Sequence, residues 1–103
     1  MARRRATRTG SGGKAPAGWS KSPGGKRLTR EVKTGDFLEA VRIITSIAVA
    51  AERLQHHPDL HITRWNRLRI TTWSHDVGKL TERDMGLARA INEVLARSGI
   101  PRE

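Results

Sequence analysis

The sequence contains no cysteine. That absence excludes disulfides, thiolate zinc sites and cysteine nucleophiles together, and it fits a reducing compartment, so a cytoplasmic protein is expected. Long apolar runs are missing as well. The most apolar stretch, Ile43 to Ala51, is interrupted by Thr45 and Ser46 and falls well short of the ~20 residues a bilayer-spanning helix needs, so no membrane role is expected. The N-terminal cations are followed by no apolar segment, so no secretory signal is expected, although Arg, Ser and Thr without acids also compose transit peptides. No internal repeat is visible. A length of 103 residues leaves room for one domain.

Acids are absent from residues 1–27, which hold eight of the 20 basic residues, from Arg3 to Arg27. The other 12 bases face all 10 acids, so the rest of the chain carries about +2 of the total +10. Residues 1–25 also contain six glycines and two prolines, a density of breakers that sustains no regular element. The expectation is a basic flexible arm over 1–25 and a domain over 26–103. Residues 1–27 suit loose contact with an acidic protein or with nucleic acid phosphates. Trp19 is expected to dock back on the domain, because a large ring gains much from burial.

From Arg27 to Lys33, Leu28 and Val32 mark one side of a strand, read as an edge strand that Gly35 ends. Asp36 then opens a helix with Glu39 at capping-box spacing. Phe37, Ala40, Val41, Ile44, Ile47, Ala48, Ala51 and Leu54 form a broad apolar face, with Ile43 to one side as a second surface. Pro58 forces the helix to stop before it. Asp59–Trp65 and Arg67–Trp73 read as a hairpin whose loop takes in Arg64 to Arg67. A loop at Asp76 to Leu80 follows. Thr81 with Asp84 opens a second helix, carried by Leu87, Ala88, Ile91, Val94 and Leu95 and stopped by Gly99 and Pro101. The fold class is α+β, a single β-α-β-β-α domain with two helices on one face of an antiparallel-rich sheet. So thin a core, Ile43 and an open strand edge suggest an oligomer.

All four histidines lie between positions 56 and 75. Metal binding is disfavoured: Pro58 separates His57 from His61, and no carboxylate stands at recognisable ligand spacing. Ser74 beside His75 lacks a nucleophile-elbow sequence. General acid–base chemistry remains, since imidazole gives and takes protons near neutrality and a reaction needing both steps needs two such groups. His56 and His57 end a helix beside a forced bend, and His75 ends a strand near that bend. The bland alternative is that His56 and His57 cap the helix C-terminus.

A wider pattern bears on that choice. Glu52-Arg-Leu-Gln-His56-His57-Pro58 is followed by six residues to Trp65, nine to His75 and eight to Asp84. Asp36-Phe37 and Val49-Ala50-Ala51-Glu52 precede it, Trp65-Asn66-Arg67-Leu68 and Ser74-His75-Asp76 lie within it, and Leu80-Thr81-Glu82-Arg83-Asp84 closes it. This pattern, with Gly18-Trp19 ahead, resembles the pterin-4a-carbinolamine dehydratases over roughly residues 18–97. The resemblance implies dehydration of 4a-hydroxytetrahydropterin to quinonoid dihydropterin in tetrahydrobiopterin recycling, with no metal and no organic cofactor. It implies His56 and His75 as the acid–base pair and His57 as a pterin-positioning group. Asp84 would orient a histidine or the pterin's amino-pyrimidine edge, Glu52 would set the His56 tautomer, and Pro58, Trp65, Asp76 and Arg83 would surround the substrate. Trp65 would wall the pocket or pack in the sheet, and packing is the expectation. A homodimer or homotetramer is implied too. Gln55 and Lys79 depart from the pattern, where many members carry Asp and Gly. The rival implication is a non-enzymatic dehydratase-like protein that assists RuBisCO assembly beside α-carboxysome genes, its basic arm meeting the acidic enzyme.

Overall fold

A computed structural model describes residues 14–100. In chain order it holds β1 (Ser20–Lys21), a 3-10 turn (Pro23–Gly25), β2 (Leu28–Lys33), α1 (Phe37–Leu54), β3 (Asp59–Thr63), β4 (Arg67–Thr72) and α2 (Glu82–Arg97). The sheet order is β1-β2-β4-β3, with every neighbouring pair antiparallel. The expected α+β architecture is therefore present.

Strand alternation sends Leu28 and Val32 of β2, with Leu68 and Ile70 of β4, to the face that meets the helices. Ile43 and Ile47 of α1 and Leu87, Ile91 and Leu95 of α2 complete this core. Burial of each such side chain contributes about 1.5–3 kcal/mol relative to exposure. Arg30 also points inward. Its Nη1 donates to Asn92 Oδ1 at 2.7 Å, and Trp19 Nε1 donates to the same oxygen at 2.8 Å. Asn92 Nδ2 in turn donates to the Ala17 carbonyl. Trp19 thus docks as expected, into the core and onto α2.

Three features differ from the sequence reading. Ser20–Lys21 and Pro23–Gly25 do form short elements, despite the breakers around them. They cover the outer edge of β2, so β2 lies inside the sheet and the edges fall to β1 and β3. The remainder of the expected arm, residues 1–13, and the expected stop at Pro101 lie outside the described residues.

The third difference is a rotation of α1. Its buried residues are Ala40, Ile43, Ile47 and Ala51, while Phe37, Val41, Ala48 and Leu54 are exposed. Two apolar stripes share this helix, and both satisfy helical spacing. The sheet and α2 can cover only one, and they take the stripe through Ile43.

The helix starts follow the sequence closely. Glu39 N–H donates to Asp36 Oδ1 at 2.8 Å, while the Glu39 carboxylate accepts from Gly35 N–H. Gln55 then takes a left-handed conformation (φ 53°) that ends α1 and turns the chain back over its last turn. The β3–β4 loop spans residues 64–66, with Thr63 paired to Arg67. Asn66 pins it to the residue just past β2: its side-chain amide donates to the Thr34 carbonyl, and Thr34 N–H donates to the Asn66 carbonyl.

Candidate active site

The C-terminus of α1, the end of β4 and the N-terminus of α2 converge on one cleft of about 300 Å³. Gln55, His56, His57, Trp73, His75, Asp76 and Arg83 line it. The left-handed turn at Gln55 creates the convergence, because it sends His56 inward and His57 outward from the helix end.

His56 is buried, and its Nε2 lies 2.6 Å from Asp84 Oδ1. Asp84 is fully buried and receives three further donors. Thr72 Oγ1 donates to Oδ1 at 2.6 Å, Ser74 Oγ donates to Oδ2 at 2.7 Å, and Thr81 N–H donates to Oδ2 at 3.0 Å. Burial opposes the charge of Asp84, but the hydrogen bonds from Thr72, Ser74, His56 and Thr81 outweigh it and hold this carboxyl below its usual range. An ionised Asp84 accepts a proton bond from His56 Nε2–H, so the other ring nitrogen, Nδ1, is the one left for a ligand.

Outside this buried core the second dyad is exposed. His57 Nε2 lies 2.6 Å from Glu52 Oε2. The expected pairing of Glu52 with His56 therefore does not occur. Reversal of the chain at Gln55 brings His57, not His56, back over Glu52. At the rim, Arg83 Nη2 donates to Asp76 Oδ1 at 2.6 Å. That hydrogen bond lowers the Asp76 carboxyl and raises the Arg83 guanidinium.

His75 follows β4, and its ring stacks on Trp73 with centroids 4.1 Å apart and planes inclined by 29°. Five of the nine sequence-derived site residues, His56, His57, His75, Asp76 and Arg83, line the cleft together. Glu52 and Asp84 stand behind two of those histidines. Pro58 and Trp65 are not among the lining residues. Trp65 sits at the hairpin tip with φ 57° and 59 % of its surface exposed, so it neither walls the cleft nor packs in the sheet. A three-residue loop held by Asn66 carries its side chain away from the core. Trp73 and Thr72 were missed by the sequence reading. An aromatic two residues before a candidate histidine on a strand shares its face, and that spacing was the available signal.

Comparison with known proteins identifies the family. The family model described as pterin 4 alpha carbinolamine dehydratase matches residues 4–94. The chain belongs to this family. Among similar proteins, one from Afipia carboxidovorans is 39 % identical over 83 residues, covering 81 % of this chain and 82 % of its own. A second, from Chloroflexus aggregans, is 44 % identical over 68 residues, covering 66 % and 71 %. Both are provisionally named pterin-4-alpha-carbinolamine dehydratases. A crystal structure from Brucella melitensis, named a transcriptional coactivator/pterin dehydratase, superposes with a TM-score of 0.71 at 34 % identity, over 77 % of this chain and 83 % of that one. The fold of that protein is thus shared over most of both chains.

Proposed function

We propose that this protein dehydrates a 4a-hydroxytetrahydropterin to the quinonoid dihydropterin and water, by general acid–base catalysis and without metal or organic cofactor. The observation that carries the reading is the meeting of three histidines from two separate elements at one cleft. One imidazole takes the N5 proton of the pterin while a second protonates the 4a hydroxyl. The C4a–O bond breaks, the N5–C4a double bond forms, and water leaves. Protons lost and gained by the protein cancel over the cycle.

His56 and His75 form the acid–base pair, facing the cleft from α1 and from the end of β4. Asp84 holds His56 in the tautomer that presents Nδ1, so the ring is oriented before substrate arrives. His57, steadied by Glu52, positions the pterin, and the Asp76–Arg83 pair offers a carboxylate and a guanidinium at the rim. Each well-placed acid or base contributes roughly 10²–10⁴-fold in rate.

The protein acts as a homodimer or homotetramer in the cytoplasm, supplying pterin recycling. The open edge of β3 and the exposed Phe37, Leu38 and Val41 of α1 support association between copies. No helix among the described residues is long and apolar enough to cross a membrane. The test is absorbance-monitored dehydration of synthetic 4a-hydroxytetrahydropterin. Acceleration above the spontaneous rate supports the reading. No acceleration by a folded sample refutes it, and a pull-down with RuBisCO then examines the non-enzymatic alternative.

A further inference from the structure

Two of the three cleft histidines are held by carboxylates and the third is not. His56 is fixed by Asp84 and His57 by Glu52, both through hydrogen bonds of 2.6 Å. His75 makes no hydrogen bond among the described residues; its ring stacks on Trp73 instead. An imidazole ring turns about a broad, roughly two-fold torsion unless something restrains it. For a proton-transfer group that freedom is costly, because the reacting nitrogen must point at one atom of the substrate.

Trp73 is itself restrained from outside the cleft. The Arg27 guanidinium carbon lies 4.6 Å from the centroid of the Trp73 ring. Arg27 is placed there by backbone register. Leu28 of β2 pairs with Thr72 of β4, so the residues one step further along, Arg27 and Trp73, come side by side at the same end of the sheet. The turn that joins β1 to β2 fixes Arg27 further. Its N–H donates to Ser22 Oγ at 3.0 Å, and Ser22 N–H donates to the Arg27 carbonyl at 2.8 Å. A cation over an indole face is attracted by the ring's quadrupole. Trp73 and His75 lie just past β4, on either side of Ser74, whose bridge to Lys79 turns the chain there, and their rings meet in the stack.

We infer that Arg27 and Trp73 are positioning residues for His75: a guanidinium–indole–imidazole stack holds the third histidine where hydrogen bonds hold the other two. This rests on the proposed dehydration for its consequence in turnover, but the stack itself is a property of the ligand-free protein. It also gives Arg27, which the charge distribution groups with the basic arm, a task at the active site. The short β1–β2 hairpin thereby becomes part of the machinery through which the N-terminal segment supports catalysis.

The experiment combines histidine NMR with steady-state kinetics on the full chain. His75 ring-proton resonances, identified by their loss in His75→Ala, are expected upfield of random-coil positions because of the indole ring current. Trp73→Leu moves them to random-coil positions, Trp73→Phe keeps part of the upfield shift, and Arg27→Gln reduces it. The dispersed core resonances of each variant report that it is folded. In turnover, Trp73→Leu lowers kcat by roughly 10–100-fold through loss of orientation, Trp73→Phe restores most of it, and Arg27→Gln lowers kcat with KM unchanged. His75 resonances at random-coil positions in the unaltered protein overturn the inference. So does a Trp73→Leu effect confined to KM with Arg27→Gln behaving as the unaltered protein, since Trp73 is then only a wall of the cleft. Absence of turnover in the unaltered protein defeats the proposed function instead, and leaves the NMR result to decide the stack.

Discussion

His56 Nε2 and Asp84 Oδ1 lie 2.6 Å apart, and this contact joins the end of the first helix to the start of the second. Asp84 performs two tasks there. Its Oδ2 caps α2 through Thr81 N–H, and its Oδ1 orients the histidine. Replacement by alanine would leave His56, Thr72, Ser74 and the Thr81 N–H without their acceptor inside a buried site. We expect Asp84→Ala to cost about 3–5 kcal/mol of stability, as loss of one partner from a buried charged pair does. Urea unfolding monitored by circular dichroism measures this. A loss under 1 kcal/mol would show that water replaces the carboxylate freely.

The same carboxylate sets an acid sensitivity. Its native pKa lies below the unfolded value, so its contribution is fully present above the ordinary carboxylate range near ~4 and is lost as pH falls through the native pKa. Stability should therefore fall more steeply as pH drops below the ordinary carboxylate range in the unaltered protein than in Asp84→Asn, which has no such proton to bind. Thr72→Val removes one stabilising donor and should move the acid transition to higher pH. Coincident acid profiles for the unaltered protein and Asp84→Asn would contradict this.

Trp19 and Arg30 share the Asn92 side-chain oxygen, so Asn92 ties the segment before β1 to the sheet and to α2. Asn92→Ala leaves an indole N–H and a guanidinium with a missing acceptor and should cost about 1–3 kcal/mol. Trp19→Ala removes a large buried ring and should cost about 3–5 kcal/mol. Thermal melts of the two variants check both. A melting temperature unchanged in Trp19→Ala would mean that the segment contributes nothing to the fold.

Trp65 offers the opposite case. It holds a left-handed backbone at an exposed hairpin tip and touches no part of the cleft. Glycine adopts that conformation without the ~1–2 kcal/mol that other residues lose there, which offsets its own entropic cost. Trp65→Gly should stay within about 1 kcal/mol of the unaltered protein and keep its turnover. A large loss of turnover would restore Trp65 to the substrate site.

What could be read from the sequence was local. Asp36 with Glu39, Thr81 with Asp84, and Pro58 after the double histidine are signals carried within a few residues, and each placed a helix end correctly. The grouping of His56, His57 and His75 came from the wider motif and the resemblance it carries, since residue type alone left helix capping open, and one cleft does hold all three. The features that escaped depend on partners distant in the chain. β1 has only two residues and no periodicity; it exists because Ser20 and Lys21 find Thr29 and Leu28. The rotation of α1 is decided by which of two apolar stripes the sheet and α2 cover. Glu52 was assigned to the wrong histidine because the left-handed Gln55 is invisible in a helical projection. Trp73 was read as a strand end, and only the β2–β4 register shows that Arg27 lies over it.

The most direct measurement is the rate of dehydration of synthetic 4a-hydroxytetrahydropterin by the unaltered protein, by His56→Ala and by His75→Ala. The account predicts acceleration above the spontaneous rate by the unaltered protein and a loss of roughly 10²-fold or more in each variant, with both variants still folded. Undiminished turnover in both variants would contradict the assignment of this cleft as the catalytic site.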